Sequence, residues 1–436
     1  MQDVISIIYA SDPSLSRIME RKAFFREEAA ARVDEIIAAV RKEGDAALCR
    51  FTREFDRADL KPEELSVDRE EIRAAYRQVE EDFLSALVLA RERITSFHKR
   101  QLAGSWFETD RQGIFRGQLV RPLSRVGIYV PGGTASYPSS VLMNAIPAAV
   151  AGVPEIVLVT PPASDGKINP YTLVAAGEAG VTEVYRAGGA QAVAALAYGT
   201  ERIKAVEKIT GPGNIFVTLA KQRVFGRVDI DMLAGPSEVA VIADESADPV
   251  YIAADLLAQA EHDPLSAAVL FTPSVPLAKV VRGELARQLA SLPRREIAAS
   301  ALANCGALVI TRDLGEAVEL TNAFAPEHCE LLVAEPFSWL GRIKNAGAVF
   351  LGAYSPEPVG DYLAGPNHIL PTGGTARWAS GLGVEAFLKR INVVAYSREA
   401  LAETGRQVIT LARAEGLEAH ARAVEVRLAG EKEGRC

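Results

Sequence analysis

Five histidines occur in the 436 residues, at 98, 262, 328, 368 and 420, and their neighbours decide what chemistry they could do. The stretch Ala258-Gln259-Ala260-Glu261-His262-Asp263-Pro264 closes a segment in which Ala253, Leu256, Leu257 and Ala260 recur at three- and four-residue steps, which predicts a helix with a buried stripe. Asp248 suits its N-cap and Pro249 its first position, while Pro264 forbids continuation. Asp255, Gln259 and His262 then share another face. A carboxylate, an amide and an imidazole gathered there suit metal binding or proton transfer. A solvated helix face carrying one histidine is the ordinary alternative.

Three further stretches carry similar groups. Ala325-Pro326-Glu327-His328-Cys329-Glu330 sets a carboxylate beside an imidazole between a predicted helix and strand, an arrangement for paired acid and base roles or for a plain polar turn. Gly360 to His368 threads Asp361 and His368 among turn residues with no hydrophobic period. Glu415 and His420 flank Gly416; on one unbroken helix they would diverge by about 140°, so Gly416 is expected to separate two helices. His98, between Phe97 and Lys99, is taken as a surface or satisfied structural histidine. The nearest histidines in sequence, 328 and 368, exclude H-E-x-x-H and finger-type sites, so any metal must be assembled by tertiary structure.

These groups need elements to position them. Helical periodicity runs from about 26 to 55 and from Glu70 to Gln101. Strands are expected at Ile114 to Leu119 and Val126 to Val130. Helices and strands then alternate in two series, one to about Ile215 and one from Glu238 to Leu351, as in parallel sheets that bind ligands at the carboxyl ends of their strands. Gly132-Gly133, Gly188-Gly189 and Gly211-Pro212-Gly213-Asn214 close such strands, the last opening a helix that could receive phosphate. No G-x-G-x-x-G occurs. The fold class expected is α/β, with two incomplete Rossmann-like parallel-sheet domains, a helical N-terminal region and an extended helical C-terminal tail. The expected boundaries are 1–24 (N-terminal tail), 25–125 with 237–375 (first α/β domain), 126–236 (second) and 376–436 (helical tail).

With 49% hydrophobic and 24% charged residues, the composition is that of a soluble globular protein, and the net charge of −8 argues against a nucleic-acid surface. No apolar run approaches the length of a membrane span, and Met-Gln-Asp begins nothing like a signal peptide, so no membrane partner and a cytoplasmic location are expected. Cys49, Cys305, Cys329 and Cys436 lie far apart and suit a reduced compartment.

Eight strings taken together resemble histidinol dehydrogenases: Tyr129-Val-Pro-Gly-Gly, Gly-Gly-Ala-Gln191-Ala, Thr-Gly-Pro-Gly-Asn214-Ile-Phe-Val-Thr, Ala-Gly-Pro-Ser237-Glu-Val, Gln259-Ala-Glu-His262-Asp, Ala-Pro-Glu327-His328, Gly-Asp361-Tyr-Leu-Ala-Gly-Pro-Asn-His368 and Glu415-Gly-Leu-Glu-Ala-His420. Their order and spacing match from about residue 25 to the end. Cys329 is a departure, since the family pattern usually has an apolar residue there. The resemblance implies a zinc-dependent, NAD-linked homodimer that oxidises L-histidinol through the aldehyde to L-histidine. It implies Gln259, His262, Asp361 and His420 as ligands of one zinc ion per subunit, with Glu327 and His328 as the acid/base pair. Ser237, His368 and Glu415 would bind substrate together with the zinc ligands and Glu327, and Tyr129, Gln191 and Asn214 would line the NAD site. It also implies that the C-terminal tail completes the site of a second copy.

The residue types suit that chemistry, because neutral His328 can take a hydroxyl proton and Glu327 can activate the water that hydrates an aldehyde. A Cys329 thiol as nucleophile is the competing route for the second step. Two other readings stay open: a paralogue oxidising a different amino alcohol or diol, and a metal-assisted hydrolase that needs no nicotinamide.

Overall fold

Strands such as Glu238–Ala243 (EVAVIA) and Ala267–Thr272 (AAVLFT) are buried along their whole length, and this near-continuous apolar character belongs to parallel sheets covered on both faces. The computed structural model describes residues 4–20, 27–111, 113–132 and 136–429; Gly133 and Cys436 lie outside the described residues. The chain divides into two units, Met1–Gln101 with Leu123–Phe387, and Leu102–Pro122 with Leu388–Cys436.

The larger unit contains two parallel sheets. One has six strands in the order Ile7–Tyr9, Ala307–Ile310, Ala267–Thr272, Glu238–Ala243, His328–Leu332 and Ala348–Leu351. The other has five, in the order Glu183–Arg186, Glu155–Thr160, Arg125–Tyr129, Lys208–Thr210 and Asp229–Ile230. Strand alternation sorts the six-stranded sheet's residues between two cores. Ala268 and Leu270 join Ile252, Leu256 and Leu257 on one face, while Val269 and Phe271 join Phe324, Cys329 and Leu331 on the other. The helix Pro249–Ala260 has Pro249 at its start and the Asp248 carboxylate accepting from the Val250 amide, as its sequence requires.

The smaller unit is an antiparallel sheet, Leu388–Tyr396 against Ile114–Pro122 against Trp106–Thr109, followed by the helices Arg398–Ala414 and Glu418–Ala429. Gly416, at φ +76°, separates the two helices as expected.

Several local expectations are corrected. Residues 4–20 are not simply a tail: Ile7–Tyr9 extends the six-stranded sheet by pairing with Leu308–Ile310. The C-terminal region is not wholly helical, because Ile391, Val393, Val394 and Tyr396 favour a strand, and that strand takes Ile114–Pro122 as its partner. The stretch from Glu70 to Gln101 is two helices, Arg69–Ala75 and Glu81–Lys99. The stretch from 26 to 55 likewise holds Glu27–Glu43 and Asp45–Phe51, parted at Gly44 with φ +54°.

His98 is structural and fully buried, with Nδ1 2.7 Å from Gln101 Oε1 and Nε2 3.4 Å from the Asn367 amide nitrogen. Gln101 Oε1 cannot donate, so Nδ1 carries the proton and Nε2 accepts from Asn367. Desolvation lowers the His98 pKa below its ordinary 6.5. The folded state therefore resists protonation that the unfolded state accepts, and the stability His98 contributes is lost as pH falls below about 6.5. We predict that His98→Ala loses about 2–4 kcal/mol of unfolding free energy at pH 8. In denaturant titrations the gap between wild type and variant should narrow from pH 8 to pH 5.5; a gap independent of pH would show that His98 is not held neutral.

Candidate active site

The first group of functional side chains follows from a match of repeat distances. Four residues along a helix advance about 6.0 Å, and two along a strand about 6.6 Å. Asp255 and Gln259 on the Pro249–Ala260 helix therefore stand opposite Glu330 and His328 on the strand His328–Leu332. The Gln259 amide lies 3.1 Å from His328 Nδ1, and the Asp255 carboxyl is hydrogen-bonded to Glu330. The helix face that carries Asp255 and Gln259 is buried, Gln259 at 0% exposure.

A second short helix repeats the spacing. Glu357–Tyr362 places Glu357 and Asp361 one turn apart, so the segment expected as an irregular loop contributes a helical face. Glu357 Oε1 is 3.6 Å from His328 Nδ1, and Asp361 Oδ1 is 3.9 Å from His328 Nε2. The Gln259 amide reaches Glu357 Oε2 at 3.2 Å and the Glu238 carbonyl at 3.3 Å; these are acceptors, so its nitrogen faces them as donor. Glu327 accepts from the Glu238 amide at 3.1 Å and from the Ser237 hydroxyl. His368 Nδ1 lies 2.9 Å from the Asp361 carbonyl and its Nε2 3.3 Å from Ser140 Oγ, which ties the loop to the helix Pro138–Ala151.

His328 opens a strand and does not sit in a loop, a correction with a consequence for geometry. Glu327, His328, Glu238 and Ser237 all lie at the amino ends of their parallel strands. The returning helix delivers Gln259 and His262 to that same edge. Ligand sites were expected at carboxyl edges; here the antiparallel course of strand and helix carries the helix's functional C-terminus to the opposite one.

Burial sets the protonation states. It pushes Glu327 well above the usual carboxylate range, with the neighbouring Glu238 adding to the effect. Burial raises Glu357 likewise, and raises Asp361 to about 6 against the opposing pull of His262. His328 is lowered to about 3 and His368 to about 4, both by desolvation, so both are neutral near pH 7. His262 is exposed beyond the end of its helix; desolvation lowers its pKa and Asp361 opposes that. Cys329 faces the other side of the sheet, its thiol pushed up to about 12, which removes it from the His328 face and from nucleophilic duty.

Ligand atoms of His328, Glu357 and Asp361 all lie within 4.8 Å of one another. Of the zinc ligands implied by the sequence, this cluster contains only Asp361. Gln259 borders it, and His262 is electrostatically coupled to Asp361. An amide, imidazoles and carboxylates crowded in this way fit a divalent cation of the zinc type, because a cation would stabilise carboxylates that burial disfavours. Glu415 and His420 belong to the smaller unit, where both are exposed.

The second group gathers at the carboxyl edge of the five-stranded sheet. The Tyr129 hydroxyl accepts from the Gly189 amide at 3.2 Å. Gln191, 1% exposed on the helix Gly189–Tyr198, has a buried Oε1 without a partner. Asn214 caps the helix Ile215–Val224, its Oδ1 accepting from the Phe216 and Val217 amides, so only its amide nitrogen remains for a ligand. A β-carbon on Gly211 would come within 2.0 Å of the Tyr129 carbonyl, so only glycine lets these turns meet. An unpaired buried acceptor beside a helix N-terminus and two glycine turns fits a dinucleotide.

Sequence reasoning missed Glu238, Glu330 and Glu357. Glu330 stands two residues after His328 in a strand, and Glu357 stands four before Asp361, so the strand and helix periods could have found both.

A model of the histidinol dehydrogenase family matches residues 19–428. The histidinol dehydrogenase of Moorella thermoacetica is 61% identical over 402 residues, covering 92% of this chain and 95% of the relative. That of Heliobacterium mobile is 55% identical, covering 94% of this chain and 96% of the relative. The crystal structure of histidinol dehydrogenase from Elizabethkingia anophelis superimposes with a TM-score of 0.94 at 36% identity, covering 99% of this chain and all of that one. With a family match across almost its whole length and relatives this close, the chain belongs to the histidinol dehydrogenases, a family of oxidoreductases.

Proposed function

We propose that this protein oxidises L-histidinol through L-histidinal to L-histidine in two NAD-linked steps, as the last enzyme of histidine synthesis, with one zinc ion per subunit. The observation that carries the reading is the joint burial of Glu327 and His328 at the sheet edge that also receives Gln259 and Asp361. NAD would accept a hydride in each step, held by Tyr129, Gln191 and Asn214. Zinc, held by Gln259, His262, Asp361 and His420, would fix the register of an imidazole and amine substrate.

The chain's own groups then divide the proton work. Neutral His328, with its proton on Nδ1 and directed at the Glu238 carbonyl 3.3 Å away, has Nε2 free to take the hydroxyl proton as hydride leaves the alcohol. Glu327, with its raised proton affinity, takes a proton from the water that hydrates the aldehyde, and the hydrate gives up the second hydride. Ser237, bonded to Glu327, and His368, anchored on Asp361, line the substrate's position. A paralogue acting on another amino alcohol is disfavoured by His368 together with Glu415, which suit a cationic amino acid derivative. A hydrolase would leave the second group of residues without a role.

The smaller unit supports a homodimer in which the tail of each copy completes the other's site with Glu415 and His420. It exposes the apolar side chains of Trp106, Phe107, Ile391, Val394, Leu411 and Val426, which a second copy would cover. The free thiols Cys49, Cys305 and Cys329 support a cytoplasmic location. Among the described residues no helix is long and apolar enough to cross a membrane.

Purified protein given L-histidinol and NAD should form two NADH per histidine, and a chelator should abolish the reaction. His262→Ala should lose zinc and activity together, by roughly 10- to 100-fold or more in affinity; full turnover by metal-free protein would refute the zinc assignment. Glu327→Gln should retain part of the alcohol oxidation while losing aldehyde oxidation by about 100-fold, and Cys329→Ala should leave both nearly intact. Equal loss of both steps in the glutamate variant would remove the water-activating role. His420→Ala and Glu327→Ala chains, each inactive alone, should regain about a quarter of wild-type activity after dissociation and random reassociation, since half the dimers are mixed and half their sites intact. A tail that serves its own body would restore nothing.

A further inference from the structure

Lys221 ranks among the largest fully buried side chains of the protein, and its charge has one evident destination. Its ammonium donates to the Gly211 carbonyl at 3.0 Å and to Asp231 Oδ1. Asp231 in turn accepts from the Gly211 amide at 2.7 Å through Oδ2 and from the Met232 amide at 2.6 Å through Oδ1. The ion pair thus grips Gly211 by both its amide and its carbonyl. Gly211, at φ +111°, is the first residue after the strand Lys208–Thr210 and leads through Pro212 and Gly213 to Asn214.

We propose that the Lys221–Asp231 pair positions the nicotinamide cofactor site by fixing the orientation of the Gly211 peptide groups, and through them the turn that presents Asn214. The inference rests on the reading that this turn receives NAD. The two side chains are 2% and 1% exposed, so neither can touch a ligand; they act through the backbone. A buried ion pair is a poor source of stability, since desolvating two charges offsets their attraction and an apolar pair of similar volume often does as well. An apolar pair, however, cannot satisfy an amide and a carbonyl of one glycine at once. Nor can a side chain on Gly211 wedge the turn in place, because the Tyr129 carbonyl occupies that space. Holding the turn from beneath with one donor and one acceptor leaves its upper surface, the Asn214 amide and the N-terminus of the helix Ile215–Val224, free for a ligand.

The test uses the full-length, zinc-loaded enzyme. Lys221→Met/Asp231→Leu leaves no unpaired buried charge, and Lys221→Met/Asp231→Asn, which also leaves none, provides a second variant should the first not fold. We expect KM for NAD to rise by about tenfold or more while KM for histidinol stays within about twofold, zinc content stays full, and the thermal shift induced by NAD is lost. NAD KM within about twofold of wild type, or equal deterioration of both KM values, would overturn the proposal, the second marking the pair as merely structural. Asn214→Ala separates this from the underlying reading. If Asn214→Ala raises NAD KM while the pair variants do not, the positioning role fails alone; if none of them changes it, the cofactor reading of the turn fails with it.

Discussion

The near-equality of four helical residues and two strand residues is the constraint on which this site depends. Helix Pro249–Ala260 and strand His328–Leu332 are joined by two polar rungs, Asp255 with Glu330 and Gln259 with His328. A slide of one residue in the strand would turn both carboxyl and imidazole to the Cys329 face, where Phe324 and Leu331 are packed. The polar rungs therefore fix a register that the apolar contacts of Leu256 and Leu257 alone would leave less sharply defined.

From that register follows the division of labour within the larger unit. In the six-stranded sheet Glu327, His328 and Gln259 gather at the amino edge, because the helix after Glu238–Ala243 runs back along the sheet and ends there. In the five-stranded sheet the glycine turns gather at the carboxyl edge, where strands hand over to helix N-termini. A dinucleotide is served by backbone amides and helix dipoles, and a cation by side-chain oxygens and imidazoles. The two opposite edges of parallel α/β layers supply those two kinds of group separately.

Much of this was legible in the sequence. Pro249, Asp248 and the apolar stripe placed the helix that carries Gln259 with its end two residues off, and the series expected from Glu238 to Leu351 does open on the strand Glu238–Ala243 and close on the strand Ala348–Leu351. The turns at Gly188 and Gly211 stood out because glycine and proline punctuate strongly. What escaped was of two kinds. Glu330 and Glu357 look like surface residues in one dimension, since only tertiary pairing shows that a buried carboxyl has a partner. The strands Ile7–Tyr9 and Leu388–Tyr396 escaped because their pairing partners lie roughly 300 and 270 residues away, and a strand without a nearby mate gives a weak periodic signal. Glu415 and His420 could be linked to the proposed cation site only through the family resemblance, because nothing local says which body an exposed tail serves.

The rung behind the site also shows why its acids survive burial. Desolvation raises Asp255 to about 6 and pushes Glu330 well above the usual carboxylate range, and the hydrogen bond between them favours ionised Asp255 against protonated Glu330. One negative charge is thus retained where two would repel. The same economy does not extend to Glu327, Glu357 and Asp361, which crowd around His328 without such pairing and are raised mainly by burial. A protein selected for stability alone would replace that cluster with apolar side chains. Its retention next to a neutral imidazole makes sense where a cation supplies the missing counter-charge and where one carboxylate must hold a proton taken from water, so the strain of the site lies on the groups to which the chemistry is assigned.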